Sequence, residues 1–182
     1  MAWPTLLPLV LVALLVGGCG GGSSQPGGSG APNSQSQALA TFLKAIKPVR
    51  ESGNACAAQF KTDVAPLSEN DPGAWPGIAA KMKKDDTCIR GVGDELAAIQ
   101  APGPVANAYA GYVSQLGGLA DAGDAMANDI KRKDLAALPA DESLAQKSAA
   151  GRSAAFRVAL IQYAAQLGVT LPAWVRNIGT GK

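Results

Sequence analysis

The stretch that decides the fold is VANAYAGYVSQLGGLADAGDAMANDI, residues 105–130. One glycine and seven larger residues recur in it at alternating spacings of four and three positions, namely Val105, Tyr109, Tyr112, Leu116, Leu119, Gly123, Met126 and Ile130. Residues at this spacing share one face of an α-helix, and such a face packs on neighbouring helices at about 20°. The stretch therefore predicts a long helix in a bundle.

Two further helices are predicted before this stretch. The first follows the capping-box spacing of Ser34-Gln35-Ser36-Gln37, and Pro48 is expected to kink or split it. The second is predicted from Asp71-Pro72, as N-cap and first helical residue, to about Gln100. Within it, the mixed charges of residues 81–86 predict a solvated turn.

A fourth helix is predicted from Asp141-Glu142 to Leu167, with Gly168 as its C-terminal stop. The apolar segment 169–175 is expected to fold back over one end of the bundle, and residues 177–182 to fray. Much of the 47% hydrophobic content is alanine, a strong helix former, and runs of Val, Ile and Thr are nearly absent. We therefore predict an all-α fold, an antiparallel four-helix bundle formed by residues 38–182.

The first nineteen residues, MAWPTLLPLVLVALLVGGC, indicate export. The apolar run is about a dozen residues, shorter than the roughly 18–20 that span a bilayer, and small residues follow it as in a secretory signal. Val16-Gly17-Gly18-Cys19 resembles the lipobox of bacterial lipoproteins. That resemblance implies cleavage before Cys19, whose sulfur carries a diacylglyceryl group. Further acylation of its amine, for example by palmitate, gives the two or more chains that stable membrane attachment needs.

The resemblance implies three segments. Residues 1–18 are the signal peptide, residues 19–37 are the lipidated Cys19 and a tether, and residues 38–182 are the helical domain. The tether is rich in Gly, Ser, Pro, Gln and Asn and carries no charge, so it is expected to be flexible, with a root-mean-square reach of roughly 25 Å. The expected location is the bacterial cell membrane or envelope, on the exported side.

Cys56 and Cys88 are the cysteines that remain once Cys19 is acylated. Two thiols in an oxidising compartment most simply pair, so we predict a disulfide that joins the first helix to the second. It would close a loop of about 32 residues and stabilise the fold by roughly 3–4 kcal/mol. The alternative is a redox-active pair, although such pairs are usually Cys-x-x-Cys at a helix start.

Composition argues against several classes of function. Sixteen Lys and Arg against fourteen Asp and Glu give a net charge of +2, which provides no basic face for nucleic acid. The absence of histidine removes the commonest general base and metal ligand. Asp121 and Asp124 could supply carboxylate oxygens to a cation, but Ca²⁺ needs six to eight oxygen ligands. We expect no catalytic residue, no metal and no cofactor, and hence no enzyme.

Tyr109, Tyr112 and Tyr163 are the candidate ligand-pocket residues. They either line a pocket between the helices or belong to the core with their hydroxyls at its rim. The leading functional hypothesis is a non-catalytic, lipid-anchored module that binds an envelope protein. The alternative is a carrier or sensor of a small apolar ligand, because alanine-rich stripes leave either close-packed helices or a cavity.

Overall fold

The computed structural model describes residues 34–67, 71–134, 136–138, 143 and 151–179. These residues form α1 (Ser34–Val64), α2 (Trp75–Ala97), α3 (Gly103–Arg132), α4 (Arg152–Leu167) and the short α5 (Ala173–Arg176), and they contain no strand. The predicted all-α class is confirmed. No helix within these ranges combines the length and the apolarity that crossing a membrane requires.

The four longer helices pack as an antiparallel bundle. Helix α2 lies between α1 and α3, and α4 packs on α3 and also contacts α1. Along each neighbouring pair, residue numbers rise on one helix as they fall on the other. The contacts that show this are Cys56–Cys88 and Asp63–Lys81 for α1 and α2, Arg90–Asp121 and Leu96–Tyr109 for α2 and α3, and Tyr112–Phe156 and Gln115–Ser153 for α3 and α4.

The predicted disulfide is present between α1 and α2, with the Cα atoms of Cys56 and Cys88 5.9 Å apart. Cys56 is buried in the core, whereas Cys88 is exposed at the helix surface. The bond therefore runs from the interior to the outer edge of the α1–α2 contact.

Every residue of the α3 stripe is buried, as its spacing predicts. The larger of two apolar clusters takes side chains from all five helices and holds the rings of Phe42, Tyr109, Tyr112 and Phe156. The smaller cluster lies where α1 and α3 end and α2 begins, around Met82 and Ile130. The stripe of α3 thus contributes to both clusters and runs through the bundle.

One helix start differs from the predicted one. Helix α1 begins at Ser34, the first residue of the predicted capping box and inside the segment assigned to the tether, and continues through Pro48 without being split. Pro48 has no N–H group, so the carbonyl of Lys44 lacks its hydrogen bond within the helix. Both residues are exposed, so water can bond to that carbonyl. Helix α2 begins at Trp75, with Pro76 in its first turn, so the predicted start at Asp71-Pro72 is wrong.

The predicted fourth helix is interrupted at Gly151. This glycine has φ 92°, a conformation that L side chains rarely adopt, and α4 begins immediately after it at Arg152. The prediction of one unbroken helix is therefore wrong. Its expected start at Asp141-Glu142 lies outside the described residues.

Helix α4 ends as predicted, with Gly168 in the left-handed conformation at φ 67°. The chain then reverses, and residues 169–179, the return segment, run back along α4. Arg157 Nη1 donates a hydrogen bond of 2.7 Å to the carbonyl of Ile178, and Ile178 is 1% exposed. The expectation that this segment covers one end of the bundle is wrong, and so is the expected fraying at residues 177–179; residues 180–182 lie outside the described residues. The return segment packs along the side because Leu171, Val175 and Ile178 all face the core.

Candidate functional site

The three tyrosines predicted to line a pocket lie in the same apolar cluster and are buried. Tyr109 donates a 2.7 Å hydrogen bond to the carbonyl of Leu96, at the end of α2. The ring of Tyr112 stacks on Phe156 at a centroid distance of 5.0 Å. Burial raises the pKa of both Tyr109 and Tyr112. These contacts tie α2, α3 and α4 together, and a ligand pocket at the tyrosines stays a prediction.

Four buried residues of α1, α3 and α4 with polar side-chain atoms form a group that we call the polar layer. We define it as Arg50, Tyr112, Gln115 and Ser153. Gln115 Oε1 accepts hydrogen bonds from both the backbone N–H and the hydroxyl of Ser153, each at 3.1 Å. The first N–H groups of a helix have no partner within the helix, so Gln115 on α3 caps α4 from a neighbouring helix. Gln115 Nε2 is itself buried without a hydrogen-bond partner.

Arg50 is the charged member of the polar layer and is only 5% exposed. Its guanidinium carbon lies 5.5 Å from the ring centroid of Trp174, in the return segment. Burial lowers the pKa of Arg50, partly offset by the electrostatic effects of Tyr112 and Glu51. Its Nε and Nη2 atoms are buried and have no hydrogen-bond partner. Sequence reasoning missed Arg50, which lies in the first predicted helix, two residues after Pro48.

A pair of buried carboxylates lies on α2, one turn from the disulfide. Asp85 and Asp86 are 3% and 4% exposed, so the prediction of a solvated surface at residues 81–86 is wrong for these two residues, whereas the lysines at 81, 83 and 84 are exposed as predicted. The spacing of these two residues could have predicted their burial, because they lie three and four positions after Met82, on the buried face of α2. Oxygen Oδ2 of each carboxylate lacks a hydrogen-bond partner.

The surroundings of the two carboxylates disfavour their charged forms. Burial raises the pKa of Asp86 to about 7, and the nearby charges of Asp124 and Asp85 act in the same direction. Burial also raises the pKa of Asp85 to about 6, with a further contribution from Asp63. Lysines and Arg90 offset these effects only in part. The α2 pair is therefore a proton-binding element in the neutral pH range.

The carboxylate of Asp86 packs directly on Gly123 of α3. A Cβ atom built at Gly123 would lie 2.7 Å from Asp86 Cγ, whereas one built at Gly117 meets nothing within 4 Å. We expect Gly123→Ala to lower the free energy of unfolding by about 1–3 kcal/mol, through overpacking. Gly117→Ala, the matched control on the same helix, is expected to raise it by roughly 0.5–1 kcal/mol. Urea denaturation compares the two variants, and equal effects would contradict the close Asp86–Gly123 contact.

Asp121 and Asp124, the carboxylates considered for a cation, both bind Arg90. The guanidinium Nη2 of Arg90 lies 2.8 Å from an oxygen of each. In the part of the chain that the structure describes, no group of three or more Cys, Asp or Glu residues is arranged to hold a metal ion. The predicted lipidation site, Cys19, lies outside the described residues.

Comparisons of the chain with protein-family models, with curated proteins and with solved structures gave no match.

Proposed function

We propose that this chain is a non-catalytic, lipid-anchored protein of the bacterial cell envelope that presents one face of α4 to a protein partner. The observation that supports it is the α4 outer face, which we define as the exposed residues Ala155, Val158, Ile161, Gln162 and Ala165. Val158 and Ile161 are 45% and 43% exposed, one turn apart, and no charge lies among the five residues.

The outer surfaces of α1 and α2 are charged by comparison. Exposed positions on α1 include Lys44, Lys47 and Glu51, and those on α2 include Lys83 and Lys84. Arg157 of α4 is turned away from the outer face and bonds the return segment. Burying an exposed apolar side chain against a partner gains about 25 cal/mol per Å². Contact at the α4 outer face, which holds the exposed Val158 and Ile161, would therefore bury more large apolar side chains than contact at the charged surfaces of α1 and α2.

The anchor makes a small apolar face sufficient for association. A lipidated Cys19 and a flexible tether would confine the domain to one membrane surface, which raises its effective concentration toward other proteins there. The support for a non-catalytic role is chemical. The sequence has no histidine, the carboxylates of Asp121 and Asp124 are held by Arg90, and those of Asp85 and Asp86 are buried in the bundle.

The experiment places a photo-crosslinking residue at Ile161 in cells that make the full chain. A matched control carries it at Ala80, an exposed position on α2. We expect one covalent adduct of discrete mass from position 161 and none from position 80. The same probe in a Cys19→Ala background is expected to leave the membrane fraction and to lose the adduct.

Two results would contradict the proposal. Equal crosslinking at both positions would show that the α4 outer face is not the docking surface. A Cys19→Ala chain that still sediments with membranes would show that the anchor is not at this cysteine.

A further inference from the structure

The guanidinium of Arg50 is a buried cation that forms no salt bridge with any of the described residues. The described salt bridges involve other cations, and the adjacent Glu51 pairs with Lys47 at 2.6 Å. Burying an unpaired charge is costly, so native proteins pair such groups. An anion that binds beside Arg50 would remove this cost.

The free atoms of Arg50 define the shape of that anion. Trp174 covers the face of the guanidinium at 5.5 Å, while Nε and Nη2 have no hydrogen-bond partner. These two nitrogens lie on the same edge of the planar group, and their N–H bonds point in parallel. Such an edge matches the two oxygens of a carboxylate in a bidentate pair.

The other members of the polar layer favour the same ligand. Tyr112 is close enough to Arg50 to interact with it electrostatically, and Gln115 lies one turn further along α3. Gln115 Nε2 is a further buried donor without a partner, and its Oε1 is already engaged with Ser153. Two elements of the bundle thus supply free donors in this layer.

We propose that the polar layer binds the carboxylate of a small organic acid, with Arg50 as the bidentate donor and Gln115 Nε2 as an additional donor. A singly charged carboxylate is favoured over phosphate because a second negative charge is costlier to bury. The site lies inside the bundle and does not depend on the α4 outer face or on the lipid anchor.

The test follows thermal unfolding of the purified full chain as sodium acetate or sodium benzoate is added, with sodium chloride at equal ionic strength as the reference. We expect a saturable rise in Tm, of about 5–10 °C at a hundredfold excess over Kd. Phosphate at the same ionic strength is expected to give a smaller rise. No rise with either carboxylate, or a larger one with phosphate, would overturn the proposal.

Arg50→Met is the decisive variant. It is expected to lose the carboxylate-dependent rise while keeping a ligand-free Tm at or above that of the wild type, because replacing an unpaired buried charge with an apolar side chain is not destabilising. Arg157→Met, which removes a guanidinium bonded to the Ile178 carbonyl, is the matched control and is expected to retain the rise. A large fall in the ligand-free Tm of Arg50→Met would show that the chain itself pairs Arg50, and would overturn the proposal.

A second measurement needs no variant. In the wild-type protein, the Arg50 Nε–H resonance is expected to shift on titration with acetate, with the same saturation as the Tm. A resonance that stays fixed while Tm rises would place the carboxylate elsewhere and overturn the assignment.

Discussion

Lowering the pH from 8 to 5 is expected to stabilise this protein, by roughly 2–4 kcal/mol from Asp86 alone. In the folded chain, burial raises the pKa of this carboxyl from 3.8 to about 7. Between these two values, folding takes up a proton, so the free energy of unfolding falls as the pH rises. Below pH 3.8 the carboxyl is protonated in both the folded and the unfolded chain. Above a pH of about 7 it is ionised in both, and the full cost of burying its charge lowers the free energy of unfolding. Asp85 acts in the same direction, with a folded pKa of about 6.

The variant Asp86→Asn isolates this effect, because asparagine keeps the shape and removes the charge. We expect it to be more stable than the wild type at pH 8, and its free energy of unfolding to vary less between pH 5 and pH 8. Asp94→Asn, at an exposed position on the same helix, is the matched control and is expected to change little. Urea denaturation at several pH values gives the comparison. An Asp86→Asn chain that is less stable than the wild type at pH 8 would contradict the prediction.

Removing the Cys56–Cys88 disulfide is expected to lower the free energy of unfolding by about 3–4 kcal/mol, since the bond joins residues 32 positions apart and restricts the unfolded chain. The double variant Cys56→Ala, Cys88→Ala is expected to show a Tm lower by roughly 10 °C. Because Cys88 is exposed, a reducing agent should reach the bond in the folded protein.

The control for this prediction is the double variant in the presence of the reductant, where no further change is expected. Wild-type protein under reductant should approach the stability of the double variant. If the double variant unfolded at the same denaturant concentration as the oxidised wild type, the stabilising role of the disulfide would be refuted.

The sequence predicted the features that depend on spacing alone. The α3 stripe is buried in full because residues four and three positions apart must share a helix face, whatever packs against them. The disulfide did not follow from spacing: it was predicted because two cysteines remain once Cys19 is acylated, and two thiols in an oxidising compartment most simply pair. The stop at Gly168 followed from the preference of glycine for the left-handed conformation that ends a helix.

Features that depend on tertiary contacts were missed. Charge made Asp85 and Asp86 look solvated, although their spacing from Met82 places them on the buried face. The break at Gly151 was missed because alanine-rich flanks favour helix on both sides. Arg50 is buried partly by Trp174, more than a hundred residues later, and no local pattern carries that information.

The return segment also limits when the bundle can finish folding. Trp174 covers Arg50 of the first helix, and Gly179 packs beside Ser153 at the start of α4. A ribosome makes residues 169–179 after all four long helices, and a domain generally folds as a unit. The middle of the bundle closes only once the last of these residues has been made and released.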